Sequence, residues 1–323
     1  MKLARLILLA LGLAGLAYLI AATGPGTVLA SVQRLSWWLL LVIAFPFALV
    51  TGLDTLGWRF AFRRDLASFP TLLSVRLAGE AFNATTPTAS VGGEPVKAYL
   101  LRPQVPLEEG LASVIVAKTT SALAQGLFLL VGIGLAFTTL PLASPLLKGM
   151  TWLAALEALA LGGFVFVQQK KCFGGALRLL RGLGFSWEAG REETVHRLDR
   201  MLRAFYRHHR GRLLLSLLFH FGGWVLGSLE VYLILYFMGI SVSLTTVLVI
   251  EAFAAAIKAA AFLIPGGLGA LEGGNMAVFG AIGLGVGVGL SVTLVRRLRE
   301  LTWVAAGLVA LSVFRSAPGA ERL

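Results

Sequence analysis

The sequence contains few charged residues. Asp, Glu, Lys and Arg make up 14% of its 323 residues, and hydrophobic residues make up 57%. A soluble domain carries roughly 25% charged residues. The shortage therefore excludes an ordinary soluble domain and predicts a membrane protein.

Residues for metal, redox and nucleotide chemistry are also scarce. The single cysteine, Cys172, excludes an intrachain disulfide. The sequence has no G-x-x-x-x-G-K-[ST] loop, which makes ATP-driven transport by this chain an unfavoured reading. His196, His208 and His209 lie in a basic stretch without an acid-plus-histidine group. We therefore predict no metal, no cofactor and no catalytic activity.

Long apolar runs are abundant. Several exceed the 18–20 residues that cross a bilayer core of about 30 Å, and they are continuously apolar, as membrane helices are. The predicted class is an all-α polytopic membrane protein with about six full transmembrane helices, at residues 3–22, 37–56, 109–140, 151–167, 213–238 and 286–314.

Positive charge concentrates in residues 170–212, which hold eleven Lys and Arg against four acids. Such an excess beside spans marks the cytoplasmic side and can hold anionic lipid headgroups. Within it, Val195, Leu198, Leu202 and Phe205 recur at helical spacing, which predicts an amphipathic helix lying flat on the membrane surface. The basic run is short and flanked by spans, so nucleic acid is an unfavoured partner. We expect a bacterial-type inner membrane with both termini in the cytoplasm.

Two segments are not ordinary spans. Residues 71–102 contain Pro87, Gly92-Gly93 and Pro95 among many polar residues. Residues 244–285 contain Pro265 followed by a glycine-rich run. Broken backbone at membrane depth survives only where it is buried in protein or lines a cavity. Both segments are therefore predicted to be re-entrant helical hairpins.

The two hairpins resemble each other, which suggests an internal repeat. Glu94 lies seven residues after Pro87, and Glu272 lies seven residues after Pro265. We predict a single transmembrane domain, 1–323, with a first repeat at 36–140, the basic cytoplasmic amphipathic segment at 170–212, and an inverted second repeat at 213–314. That arrangement is typical of transporters with a midplane site. In the competing topology, residues 244–264 form a full span and the C-terminus lies outside.

Charged and polar residues at the breaks and within the spans are the candidate site for an anionic headgroup. Arg297 and Arg299 would hold a phosphate, since guanidinium binds phosphate bidentately. The glutamates would exchange protons or organise the site. In the alternative reading the arginines form structural ion pairs with Glu251, Glu272 or Glu300, and the polar residues satisfy backbone groups freed by Pro87. The predicted binding residues are Glu80, Asn83, Gly92, Gly93, Glu94, Lys97, Lys118, Pro265, Gly266, Gly267, Glu272, Arg296, Arg297 and Arg299.

Three motifs resemble those of the flippase-like membrane family, which includes the transmembrane region of lysylphosphatidylglycerol synthases. The first runs from Gly79 to Asn83 and continues from Gly92 to Leu101, the second covers 264–274, and the third covers 294–301. The third is most similar to the hopanoid-biosynthesis-associated branch. The synthases carry a soluble aminoacyl-transferase domain after the membrane region, whereas this sequence ends nine residues after Phe314. The resemblance therefore implies lipid translocation without the transferase reaction.

The predicted function is binding and transbilayer translocation of an anionic lipid, whether phospholipid, hopanoid-type or polyprenyl phosphate. The alternative is an accessory membrane protein of a lipid (hopanoid-type) biosynthetic pathway, which would partner lipid-biosynthesis enzymes and transport nothing. A membrane-embedded enzyme acting on a lipid phosphate would need a base or nucleophile near the arginines, and only the glutamates offer one.

Overall fold

The computed structural model describes residues 37–85, 92–141, 144–169, 189–261, 264 and 267–316, with the isolated positions 21, 26 and 33. Regular structure in these ranges is entirely helical. The helices are α1 (Trp38–Phe60), α2 (Phe69–Thr85), α3 (Gly93–Leu100), α4 (Leu107–Thr139), α5 (Pro145–Gln169), α6 (Ala189–His208), α7 (Arg210–Phe237), α8 (Leu244–Ala260), α9 (Ala270–Ala281) and α10 (Val286–Ser316). The span predicted at 3–22, both chain termini and Cys172 lie outside the described residues.

Three helices in the described part of the chain are long and apolar enough to cross a membrane. They are α1, α4 and α7, with 23, 33 and 28 residues and mean hydropathies of 2.1, 1.8 and 1.5. At 1.5 Å per residue each exceeds the bilayer core of about 30 Å. The predicted class, an all-α polytopic membrane protein, is confirmed.

Both predicted hairpins fold as helix pairs. In the first, α2 and α3 pack against each other, and the connection at 86–91 lies outside the described residues. In the second, α8 packs against α9. With 17 residues each, α2 and α8 reach only about 26 Å, less than a bilayer core. The depth of these pairs in the membrane and the inverted orientation of the repeats stay predictions.

Apolar side chains form two clusters, one at each half of the long helix α4. One cluster joins α4 to α5, α7, α8, α9 and α10, and the other joins α4 to α1, α2, α3 and α6. Small residues allow close approach at the helix crossings, as is usual in membrane bundles. A Cβ atom added at Gly132 of α4 would overlap the Cβ of Ala252 of α8. Likewise, a Cβ at Gly307 of α10 would overlap the carbonyl oxygen of Leu77 of α2.

An arginine at the start of α7 fixes the end of α1. Arg212 donates to the backbone oxygens of Phe62 (2.6 Å) and Arg59 (2.9 Å) and to Oδ1 of Asp65 (2.7 Å). These contacts satisfy carbonyl groups that a helix end leaves without partners. Hydrogen bonds from Arg212 and Arg59 hold the pKa of Asp65 below its usual range.

The amphipathic helix α6 differs from the sequence prediction. Leu202 and Phe205 were predicted to face lipid, but both are buried and pack with Ala61, Phe62 and Val116 of the bundle. At its polar side, Arg197 contacts Glu108 of α4 at 3.4 Å. The apolar face therefore docks on protein, because the loop after α1 and the start of α4 offer it an apolar surface. Residues 170–188 of the same basic segment lie outside the described residues.

Candidate functional site

An open cleft with a polar lining lies among α1, α2, α3, α4 and α7. The surrounding bundle is apolar. Charged side chains at membrane depth are costly, and they usually face a cavity or a partner. The lining residues are Trp58, Arg76, Glu80, Glu94, Lys97, Val114, Ala117, Lys118, Ser121 and His220.

The cleft brings together four residues that the sequence predicts for the site. The Nζ atom of Lys97 lies 2.6 Å from Oε1 of Glu80 and 3.1 Å from Oε2 of Glu94. The Nζ atom of Lys118 lies 3.5 Å from Oε1 of Glu94. The Lys97 side chain is 5% exposed, whereas that of Lys118 is 53% exposed. Lys97 is therefore buried between two carboxylates, whereas the amino group of Lys118 can be reached from the open cleft.

Two glycines and an asparagine give the first motif its geometry. Oδ1 of Asn83 accepts a hydrogen bond from the backbone N–H of Gly93 at 2.6 Å, which joins α2 to α3. A Cβ atom at Gly93 would overlap the carbonyl oxygen of Gly79, and one at Gly79 would overlap the Lys97 side chain. The first motif thus lets α2 and α3 pack closely around the Lys97 side chain.

This arrangement corrects one expectation for the glycines. Gly93 is one of the predicted binding residues, but its amide already donates to Asn83. Gly92 has helical backbone angles, with φ −67°, so it does not form a left-handed turn. Between α2 and α3, the Asn83 side chain therefore serves as hydrogen-bond partner of a backbone N–H group, as the alternative reading proposed.

Three further residues complete the charged network of the cleft, and the sequence analysis missed them. Arg76 donates to Oδ2 of Asp54 at 2.8 Å, and Nδ1 of His220 lies 2.9 Å from Oδ1 of Asp54. Asp54 and Arg76 interrupt apolar stretches of α1 and α2. That signal, an ionisable residue inside an apolar stretch, marks a functional candidate by default.

A second charged cluster lies where α10 meets α7, α8 and α9. Arg296 bonds to Glu251 and lies 3.2 Å from Oε2 of Glu230. Arg299 lies 3.1 Å from the same Glu230 oxygen. The Arg299 guanidinium also lies 4.5 Å from the ring centroid of Phe47. Glu230, to which the sequence analysis assigned no role, therefore bridges two arginines.

Arg297 belongs to the same cluster through the second motif. Its Nε donates to Oε1 of Glu272 at 2.9 Å, and its Nη1 donates to Glu300 at 3.0 Å. The other oxygen of Glu272 accepts from the backbone N–H of Gly269 at 2.7 Å. Gly267 and Gly269 have φ of +60° and +79°, which favour glycine in the turn before α9. Glu272 thus fixes that turn and pairs with Arg297.

All three arginines are therefore paired with glutamates, as the alternative reading of the sequence proposed. Their side chains are only 15–17% exposed. Contact of Arg296, Arg297 or Arg299 with a phosphate stays a prediction. Pro265 and Gly266 lie outside the described residues. Among the residues that the structure describes, no group of three or more His, Cys, Asp or Glu could hold a metal ion.

Comparison with known proteins gives the family. The family model described as the lysylphosphatidylglycerol synthase TM region matches residues 5–308. The chain is 27% identical to a UPF0104 membrane protein of Methanothermobacter thermautotrophicus (strain Delta H), over 96% of this chain and 95% of that protein. A second UPF0104 membrane protein of that organism is 24% identical, over 89% of this chain and 86% of that protein. No solved structure matches the chain. Since the family model covers nearly the whole chain, the chain belongs to the family of the lysylphosphatidylglycerol synthase TM region.

Proposed function

We propose that this protein binds the anionic headgroup of a membrane lipid in the cleft and moves that lipid between the two leaflets. The observation that carries the proposal is the accessible cation Lys118, 53% exposed, at an open cleft inside an apolar bundle. The acyl part of the lipid would remain in the bilayer. The proposal includes no covalent step.

The charges of the cleft suit a phosphate that exchanges rather than one held permanently. Lys118 has a long contact of 3.5 Å to Glu94, so a phosphate oxygen can replace that carboxylate at small cost. Lys97 has two shorter contacts, so it stays with its two carboxylates when a phosphate enters. A translocation site needs contacts of moderate strength, because the headgroup must leave the site as well as enter it.

The arginine cluster on α10 has a supporting role in this proposal. Arg297 and Arg299 already pair with glutamates and their side chains are only 15–17% exposed, so a phosphate reaches them less readily than it reaches Lys118. We therefore propose the cleft as the first binding site and keep the arginines as a predicted second one. The location in an inner membrane with cytoplasmic termini is part of the same proposal, and it rests on the basic excess at 170–212.

Leaflet exchange in liposomes tests the proposal. Purified protein is reconstituted with fluorescent phosphatidylglycerol or phosphatidylcholine, and dithionite reports the label that reaches the outer leaflet. We expect exchange of phosphatidylglycerol well above that of phosphatidylcholine. In Lys118→Ala the rate should fall about tenfold, which corresponds to one charge-assisted contact of about 1.4 kcal/mol.

Lys148→Ala is the matched control, because Lys148 is an exposed lysine on α5 away from the cleft lining. It should exchange lipid like the parent protein. Equal loss in both lysine variants, or equal exchange of both lipids, would remove the support for a specific anion site in the cleft.

One observation favours a second candidate function. The pairing of Arg296, Arg297 and Arg299 with glutamates is what a structural role requires, and it fits an accessory protein of a lipid-biosynthetic pathway. This alternative predicts a stable complex with a pathway enzyme and no exchange of any lipid by the folded protein alone.

A further inference from the structure

A buried histidine in the cleft wall has one nitrogen without a partner. His220 of α7 is 2% exposed. Its Nδ1 lies 2.9 Å from Oδ1 of Asp54 and donates to it, since a carboxylate only accepts. The buried Nε2 atom has no hydrogen-bond partner in the part of the chain that the structure describes. His220 therefore has a free site for one proton beside the cleft.

Gly57 of α1 holds the imidazole in place by leaving room for it. A Cβ atom at position 57 would lie 2.7 Å from Nε2 and 2.8 Å from Cδ2 of His220. Any larger residue at position 57 would push the ring away from Asp54. The glycine and the aspartate, one turn apart on α1, together fix the ring against the cleft.

The charges that face His220 are balanced in the absence of a ligand. Asp54 is on α1, Arg76 and Glu80 on α2, Glu94 and Lys97 on α3, and Lys118 on α4. Three carboxylates therefore face three cations while His220 is neutral. A lipid phosphate adds a negative charge, which a protonated His220 would offset.

We propose that the Asp54–His220 pair takes up one proton when an anionic lipid headgroup enters the cleft. This inference rests on the proposed function. The proton comes from the buffered solvent: one O–H or N–H bond of the proton donor breaks, one N–H bond forms at Nε2, and no covalent bond of the lipid changes. Imidazole changes its charge between about pH 5 and pH 8, and the Asp54 carboxylate stabilises the cation that forms. Protonated Nε2 can then donate to the phosphate directly or through a water molecule.

The coupling has a measurable consequence for lipid affinity. Where His220 is neutral in the empty cleft and charged in the occupied one, binding takes up one proton. Affinity then falls about tenfold for each unit of rising pH, by linkage. A site that used only lysine and arginine charges, without a histidine, predicts an affinity independent of pH in this range.

The test is a calorimetric titration of the purified full chain with dihexanoyl phosphatidylglycerol at pH 7, in two buffers that differ in heat of ionisation. The difference in measured heat gives the protons taken up for each lipid bound. We expect close to one proton for the parent protein. His220→Gln should bind the lipid with almost no uptake. His196→Gln, which changes an exposed histidine of α6, should match the parent protein.

The outcomes separate this inference from the proposed function. Lipid binding by the parent protein without proton uptake would overturn the inference and leave the proposed function standing. Undiminished uptake in His220→Gln would overturn it as well, because the proton would then bind elsewhere, for example at Glu80 or Glu94. Failure of the parent protein to bind the lipid at all would overturn both.

Two features keep the test decisive if His220→Gln does not fold. The comparison of the two buffers with the parent protein alone already tests the inference, because it must give an uptake of about one proton for each lipid bound. Asp54→Asn offers a second variant, because it keeps the shape of the side chain while removing the charge that stabilises the imidazolium. In Asp54→Asn the uptake at pH 7 should fall well below one proton for each lipid bound, and unchanged uptake would contradict the role of the pair.

Discussion

Removal of the Glu272 carboxylate should strongly destabilise the fold around α9 and α10. Glu272 is fully buried, and it accepts hydrogen bonds from Gly269 and from Arg297. In Glu272→Ala the Arg297 guanidinium, 17% exposed, keeps its contact with Glu300 as its one ion pair among the described residues. Loss of one partner of a buried ion pair costs about 3–5 kcal/mol. We expect a loss of about 3–5 kcal/mol in the free energy of unfolding.

The assay is unfolding of the purified protein in mixed micelles, followed by far-ultraviolet circular dichroism as the fraction of sodium dodecyl sulfate rises. Glu193→Ala is the control, because Glu193 pairs with Arg197 on the exposed face of α6 and should cost less than about 1 kcal/mol. Replacement of both Glu272 and Arg297 by methionine should recover part of the loss, since no buried charge is then left without a partner. A Glu272→Ala protein as stable as Glu193→Ala would refute the reasoning.

Two other predictions concern the hairpin and the end of α1. Gly93→Ala should lower the free energy of unfolding by about 2–3 kcal/mol, because its methyl group would overlap the carbonyl oxygen of Gly79, whereas Gly163→Ala, which has open space, should change little. A small effect at position 93 in the same micelle assay would contradict the close approach of α2 and α3. Arg212 lowers the pKa of Asp65 in the folded protein. The ionised carboxylate therefore stabilises the fold at pH values above the ordinary aspartate pKa of about 3.9. This contribution is lost as the pH falls through the lowered pKa of the folded state. The free energy of unfolding of Asp65→Asn should therefore fall less at acid pH than that of the parent protein. The same fall in both proteins would refute this prediction.

The fold could be predicted from the sequence where the physical signal is local. The apolar runs of α1, α4 and α7 give their positions within a few residues, because bilayer thickness sets the length of a span. The two helix pairs follow from Pro87 and from the glycines after Ile264. The docking of α6 could not be predicted in this way. An amphipathic face meets lipid or protein equally well, and only the tertiary fold places Ala61 and Phe62 against Leu202.

The sequence indicates many of the residues in the two charged clusters, but fewer of the contacts between them. Glu80, Glu94 and Lys97 stand close in the sequence, so their cluster could be anticipated. His220 was missed because its partner Asp54 lies far away in the sequence and meets it only through the packing of α1 on α7. Around the arginines, ion pairs with Glu251, Glu272 and Glu300 belong to the alternative reading of the sequence, whereas the contacts of Glu230 on α7 were missed.

Blocking the cleft tests the central claim most directly. In a Cys172→Ser background, Ser121→Cys places a thiol in the cleft lining, and Thr138→Cys places one on an exposed surface of the same helix, α4. Each protein is reconstituted in liposomes with fluorescent phosphatidylglycerol and treated with a bulky maleimide. If the cleft carries the headgroup, exchange stops in the labelled Ser121→Cys protein and continues in the labelled Thr138→Cys protein. Undiminished exchange with a fully labelled Ser121→Cys protein would contradict the claim that lipid passes through this cleft.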